Sequence, residues 1–199
     1  MYAVKAFLIL LSFLWGTLVY SKTVSYSLSI DEKEISFGGA SRTGLAINDS
    51  IPGPVLRFKK GDLAKIRVHN LLDKEKTILH WHGLLVPNQQ DGVAELTTPP
   101  IPPGGYHDYE FQLTHAGTYW YHSHLGLQEQ RGVYGAIVVE PDKPLEQAGW
   151  DLEKVVILSD WTNENPKEVL RSLRRGDEWY SVRKGSMQSI WGEIGRAHV

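Results

Sequence analysis

Cysteine is absent from the 199 residues. That excludes disulfides, a thiolate nucleophile and any Cys-based zinc site, so the fold must be held by its own core. An excess of either charge is also missing. Lys and Arg number 21 against 23 Asp and Glu, a net charge of −2, and no basic stripe stands out. This balance argues against nucleic acid as a partner. Arg171, Arg174 and Arg175 read as the solvated face of a helix. Methionine is scarce, confined to Met1 and Met187. No apolar run is long and unbroken enough for a bilayer: Ala6 to Val19 is interrupted by Ser12, Gly16 and Thr17.

That broken run, following Lys5, has the form of a secretory signal peptide over residues 1–21. Val19 and Ser21 supply small residues for cleavage before Lys22. A single N-terminal anchor is the other reading. In both cases the mature chain is exported, periplasmic or secreted, and the lack of disulfides suits a bacterial periplasm at least as well as an extracellular space.

What is present, from Thr23 to Glu140, is a series of short apolar runs divided by turn residues. "VSYSLSI", "AKIRVHN", "YHDYEFQL", "GTYWYHSH" and "GAIVVE" are strand-length and rich in Val, Ile and Tyr. Between them lie Asp49, Pro52-Gly53-Pro54, Lys60-Gly61-Asp62, Pro102-Pro103-Gly104-Gly105 and Ala116-Gly117. Such spacing predicts an all-β sandwich or barrel.

After Glu140 the texture changes. "PDKP" reads as a linker and "KVVILSDW" as one more buried strand. Asn165 then predicts an N-cap, with Pro166 opening a helix and Glu168 completing a capping box. The helix is expected to reach about Arg175 and stop at Gly176. This divides the chain into a first domain over 22–142, and a linker with the start of a second domain over 143–192. Residues 193–199, "EIGRAHV", resemble translated adapter sequence, so they are expected to be non-native and His198 carries no argument.

The chemistry lies in two histidine pairs, His80 and His82 around Trp81, and His122 and His124 around Ser123. On a strand, residues two apart share a face at a spacing of about 6.5–7 Å. An imidazole binds metal at about 2.0 Å, so one pair spans two ions more naturally than it chelates one. Two such strands side by side offer four nitrogens to a cluster, and imidazole without thiolate or carboxylate suits copper or zinc. His69, His107 and His115 stand alone and read as ordinary residues. Trp81, Tyr119, Trp120 and Tyr121 read as packing.

"HWHGL", "GTYWYHSH" and "IPGP" resemble the first domain of multicopper oxidases, over roughly Val24 to Trp191. "LGLQEQRGVYGAIVVEP" and "LSDWTNENP" are most similar to the bacterial copper-resistance members of that family. The resemblance implies a cupredoxin-like Greek-key β-sandwich, followed by the start of a second cupredoxin domain. It also implies a cluster of three coppers held by four His-X-His motifs, two of them from a C-terminal domain. Carried over, His80 binds the type 2 copper, His82 and His122 one type 3 copper, and His124 the other. The type 1 copper, where electrons enter, takes its cysteine and histidines from that C-terminal domain, and none of these is in the sequence.

Asp91, in "NQQDGV", follows the first pair closely enough for a loop to return it to the cluster. Reduction of dioxygen consumes protons, and in the resembling family an acid here is credited with relaying them. A plain Asp91-Gly92 turn is the alternative.

The function expected is the N-terminal part of an oxidase in copper resistance. It would couple one-electron oxidation of Cu(I) or phenolics to reduction of dioxygen to water. The rival is a non-enzymatic periplasmic copper-buffering protein, although the scarcity of methionine leaves no Met-rich surface for Cu(I). A structural protein that has lost its metals is a third option, against which the intact pairs argue. Two further expectations follow: the four rings converge with His82 and His122 nearest each other across neighbouring strands, and the chain alone is inactive.

Overall fold

The computed structural model describes residues 22–37, 40–141 and 152–175. The signal segment, the residues from 142 to 151 including most of the "PDKP" linker, the helix stop at Gly176 and the C-terminal tail lie outside them.

Alternation of apolar and polar side chains builds eight strands. They are β1 (Thr23–Phe37), β2 (Ala40–Ile47), β3 (Gly53–Lys59), β4 (Leu63–Asn70), β5 (His80–His82), β6 (Tyr106–Gln112), β7 (Gly117–His122) and β8 (Tyr134–Glu140). One sheet runs β2-β1-β4-β6 and the other β3-β8-β7-β5. β1 with β4 and β3 with β8 are parallel, and the remaining neighbours are antiparallel. Leu28, Ile30, Ile66 and Val68 from the first sheet join Leu56, Trp81, Tyr121, Ile137 and Val139 from the second in one buried cluster. The prediction of an all-β sandwich is met.

Two strands were not anticipated. β2 carries its apolar residues mainly at its end, Leu45 to Ile47, and β3 begins at Gly53, inside what reads as a turn. The turn itself falls earlier, at Asn48 and Asp49, both with positive φ. There the Asn48 side chain accepts from the Ser29 N–H at 2.7 Å and donates to the Ser27 carbonyl at 3.0 Å. β1 extends past "VSYSLSI" because its charged continuation pairs with β2.

"KVVILSDW" is a correction. Residues 152–161 form no strand, and Leu152, Val156 and Leu158 are exposed. Its pattern is that of a strand, but its backbone pairs with no described strand. Side chains tether it instead: Glu153 to Arg57 at 3.2 Å and Ser159 to Tyr134 at 2.8 Å. The helix α1 (Pro166–Arg174) has the expected cap, with Asn165 accepting from the Lys167 N–H. Glu168 does not close a capping box; its carboxylate pairs with Arg171. No helix among the described residues is long and apolar enough to cross a membrane.

Candidate metal centre

β5 is three residues long, and its orientation is set by Trp81. The indole is fully buried, packing edge-on to Tyr109 at 4.9 Å and against Phe111 at 5.5 Å. Truncating a buried ring of this size costs about 3–5 kcal/mol, enough to hold the strand in one register. Trp81 pairs with Tyr121 of β7, and both face the core. The period of two then turns His80 and His82 outward, opposite His122 and Trp120. Trp120 covers them, stacked on His122 at 3.9 Å and 10° and on His82 at 4.9 Å and 29°.

The four rings converge. The ligand nitrogens of His80, His82 and His122 all lie within 4.8 Å of one another. β7 ends at His122, so His124 does not share its strand face as expected. The chain beyond the strand still brings the His124 ring 4.4 Å from His80 and 4.8 Å from His122. Across the two strands His82 and His122 approach most closely, as expected, with facing nitrogens 3.3 Å apart and ring centroids 5.5 Å apart against 5.6 Å for His80 and His122; off the strand, the His124 ring comes closer still to His80.

Hydrogen bonds orient the rings. His80 Nδ1 lies 2.7 Å from the Asp91 carbonyl, which only accepts, so Nδ1 carries the proton and Nε2 keeps its lone pair. The Asp91 carboxylate is 3.4 Å from the same nitrogen. Asp91 arrives there from a 3-10 turn, Asn88–Gln90, and Gly92 follows at φ +75°. His122 Nδ1 is hydrogen-bonded to the Ser123 carbonyl at 3.3 Å, and the Glu129 carboxylate lies 2.9 Å from the same nitrogen. Its Nε2 faces His82 Nδ1 at 3.3 Å.

This donor set fits copper. Two nitrogens 3.3 Å apart both reach one ion at about 2.0–2.1 Å with an angle of about 110°. Metal takes neutral imidazole, and the surroundings favour it. Burial, then the neighbouring His124 and His80, lower His122 to about 4, and burial with His80 lowers His124. Burial also raises the Glu129 carboxyl above the usual range.

The sequence model of a family described as "Multicopper oxidase" matches residues 29–144, more than half of the chain. The chain belongs to the multicopper oxidase family. It is 45% identical over 169 residues to copper resistance protein A of Pseudomonas syringae pv. tomato, covering 85% of this chain and 27% of that protein. With copper resistance protein A of Escherichia coli it shares 43% over 169 residues, covering 85% and 28%. The laccase of Botrytis aclada superposes with a TM-score of 0.68 at 35% identity, over 78% of this chain and 29% of that one. The fold is thus the cupredoxin-like sandwich of this family, and the chain spans under a third of the length of these relatives.

Within this multicopper oxidase domain every paired histidine and Asp91 gather at one site. His69, His107 and His115 do not: His69 lies against Tyr106, His107 against Tyr109, and His115 near the Gly83 carbonyl. Two site residues were missed. From sequence Trp120 reads as packing, and Glu129 lies unmarked within "QEQ". Its signal was the parallel with Asp91, an acid a short turn beyond a histidine pair.

Proposed function

We propose that His80, His82, His122 and His124 are this chain's share of a three-copper cluster in an exported copper oxidase. In this reading His80 serves the type 2 copper, His82 and His122 one type 3 copper, and His124 the other. The observation that carries it is the convergence of four rings from two neighbouring segments, with the Nδ1 of His80 and of His122 engaged on the far side and His122 Nε2 facing His82 Nδ1 across the site.

When bound, copper supplies one-electron steps between two oxidation states, so that four electrons and four protons convert dioxygen to two waters. The chain's own residues hold and shield the site. Trp120 covers His82 and His122 and keeps water from one side of the rings. Asp91, part-exposed and beside His80 Nδ1, would relay protons from solvent toward the cluster. The reductant is Cu(I) or a phenolic compound, with copper resistance as the setting. The remaining copper ligands would come from a C-terminal cupredoxin domain, and residues from 143 onward would begin a second one.

The test is Cu(II) titration of the 199-residue chain beside His82→Ala and His122→Ala. Each variant should weaken uptake at least about tenfold, since each removes one of two nitrogens from the same ion. Equal uptake by all three proteins would sink the reading.

A further inference from the structure

Each histidine pair is followed by a short 3-10 turn, and each turn returns an acidic residue to the first ring of its pair. The turn Asn88–Gln90 delivers Asp91 to His80. The turn Glu129–Arg131 delivers Glu129 to His122. The two devices differ in the atom used. Asp91 engages chiefly through its backbone carbonyl, at 2.7 Å, whereas Glu129 engages through its carboxylate alone, at 2.9 Å. A side chain can be replaced without altering the backbone, so the second device depends on residue identity.

We propose that Glu129 is a positioning residue of the copper centre: its carboxylate accepts the Nδ1 proton of His122 and so presents the Nε2 lone pair to the metal. This rests on the copper reading above. With the tautomer reversed, an Nε2–H would point at His82 Nδ1, 3.3 Å away, and a proton would occupy the space the metal needs. The Ser123 carbonyl, hydrogen-bonded to the same nitrogen at 3.3 Å, is a second acceptor, and the carboxylate at 2.9 Å is the nearer and the more strongly accepting of the two. A carboxylate behind a metal-binding imidazole also makes the ring a stronger donor.

The turn that carries Glu129 is anchored by the residues on either side of Glu129. Gln128 is buried; its oxygen accepts from Thr77 Oγ1 at 2.8 Å and Ser123 Oγ at 2.9 Å. Its nitrogen donates to the Lys76 carbonyl at 2.8 Å. Arg131, two residues on, is engaged by Glu75 at 2.7 Å and Glu32 at 3.7 Å. The nearby cation is thereby held by other acids, and the Glu129 carboxylate is left to His122.

Two readouts on the full 199-residue chain test this. Nitrogen-15 NMR of the metal-free protein reports which nitrogen of His122 is protonated, and Cu(II) titration reports affinity. Wild type should show Nδ1–H. Glu129→Ala should move His122 toward Nε2–H and weaken Cu(II) binding about 10–100-fold. Glu129→Gln, whose amide oxygen still accepts, should keep the tautomer and most of the affinity, a rescue that a merely structural role does not predict. An unchanged tautomer in Glu129→Ala overturns the proposal. Because the tautomer is read without metal, failure of the copper reading shows separately, as a wild-type chain that takes up no Cu(II).

Discussion

At His122 a ring with an ordinary value of 6.5 is held near 4, first by burial and then by His124 and His80. The folded value lies below the unfolded one, which fixes the sign. Above 6.5 both states carry a neutral ring. Between 6.5 and about 4 the unfolded chain binds a proton that the folded chain refuses, so stability falls as the pH falls. The urea midpoint of the metal-free chain should therefore drop between about pH 7 and about pH 4.5, and drop less in His122→Gln. An equal drop in the variant would show that other groups carry the acid sensitivity. At this scale the histidine pairs were plain from spacing alone. Glu129 was not, because its role depends on a turn whose geometry follows from Gln128 being buried among Thr77, Ser123 and Lys76.

Among elements, the loop after β5 matters most to the site. Gly92 sits against that strand at φ +75°, and a Cβ there would come within 1.7 Å of the Leu79 carbonyl oxygen. Gly92→Ala should push the loop off β5, separate Asp91 from His80 and destabilise the chain by about 2 kcal/mol or more. Gly104 provides the control, with φ +70° and nothing within 4 Å of an added Cβ. Gly104→Ala should cost only the left-handed backbone penalty, about 1–2 kcal/mol, and leave Cu(II) binding unchanged. Chemical denaturation with Cu(II) titration separates the two variants; similar losses in both would remove the loop from the argument. Strands β4, β6, β7 and β8 were legible because each is a compact apolar run between turn residues. "KVVILSDW" carries the same pattern and forms no strand, since a strand needs a partner as well as a pattern.

For the whole molecule, the balance of ligands decides what this chain does alone. On the proposed assignment it offers two nitrogens to one type 3 copper, one to the other and one to the type 2 copper. The sequence has no cysteine to build an electron entry site. Copper-loaded chain should consequently take up metal through the pairs yet show no sustained dioxygen consumption with a phenolic substrate or Cu(I). An oxygen electrode measures this directly. Continuous turnover that disappears in His82→Ala would mean that the chain carries a complete catalytic site.

Local pattern determined the all-β class, the outward aim of His80 and His82 around a buried Trp81, and the choice of copper or zinc chemistry. Those follow from side-chain type and a period of two, which act over a few residues. Tertiary structure decided the rest. It set His80 opposite His122 in the strand register while turning the His82 ring onto His122, curled His124 toward His80 from beyond the end of β7, and brought Asp91 and Glu129 to the first ring of each pair. Each of these depends on how Trp81 and Tyr121 lock two distant segments in register against a shared core, and the spacing within either segment carries no record of that register.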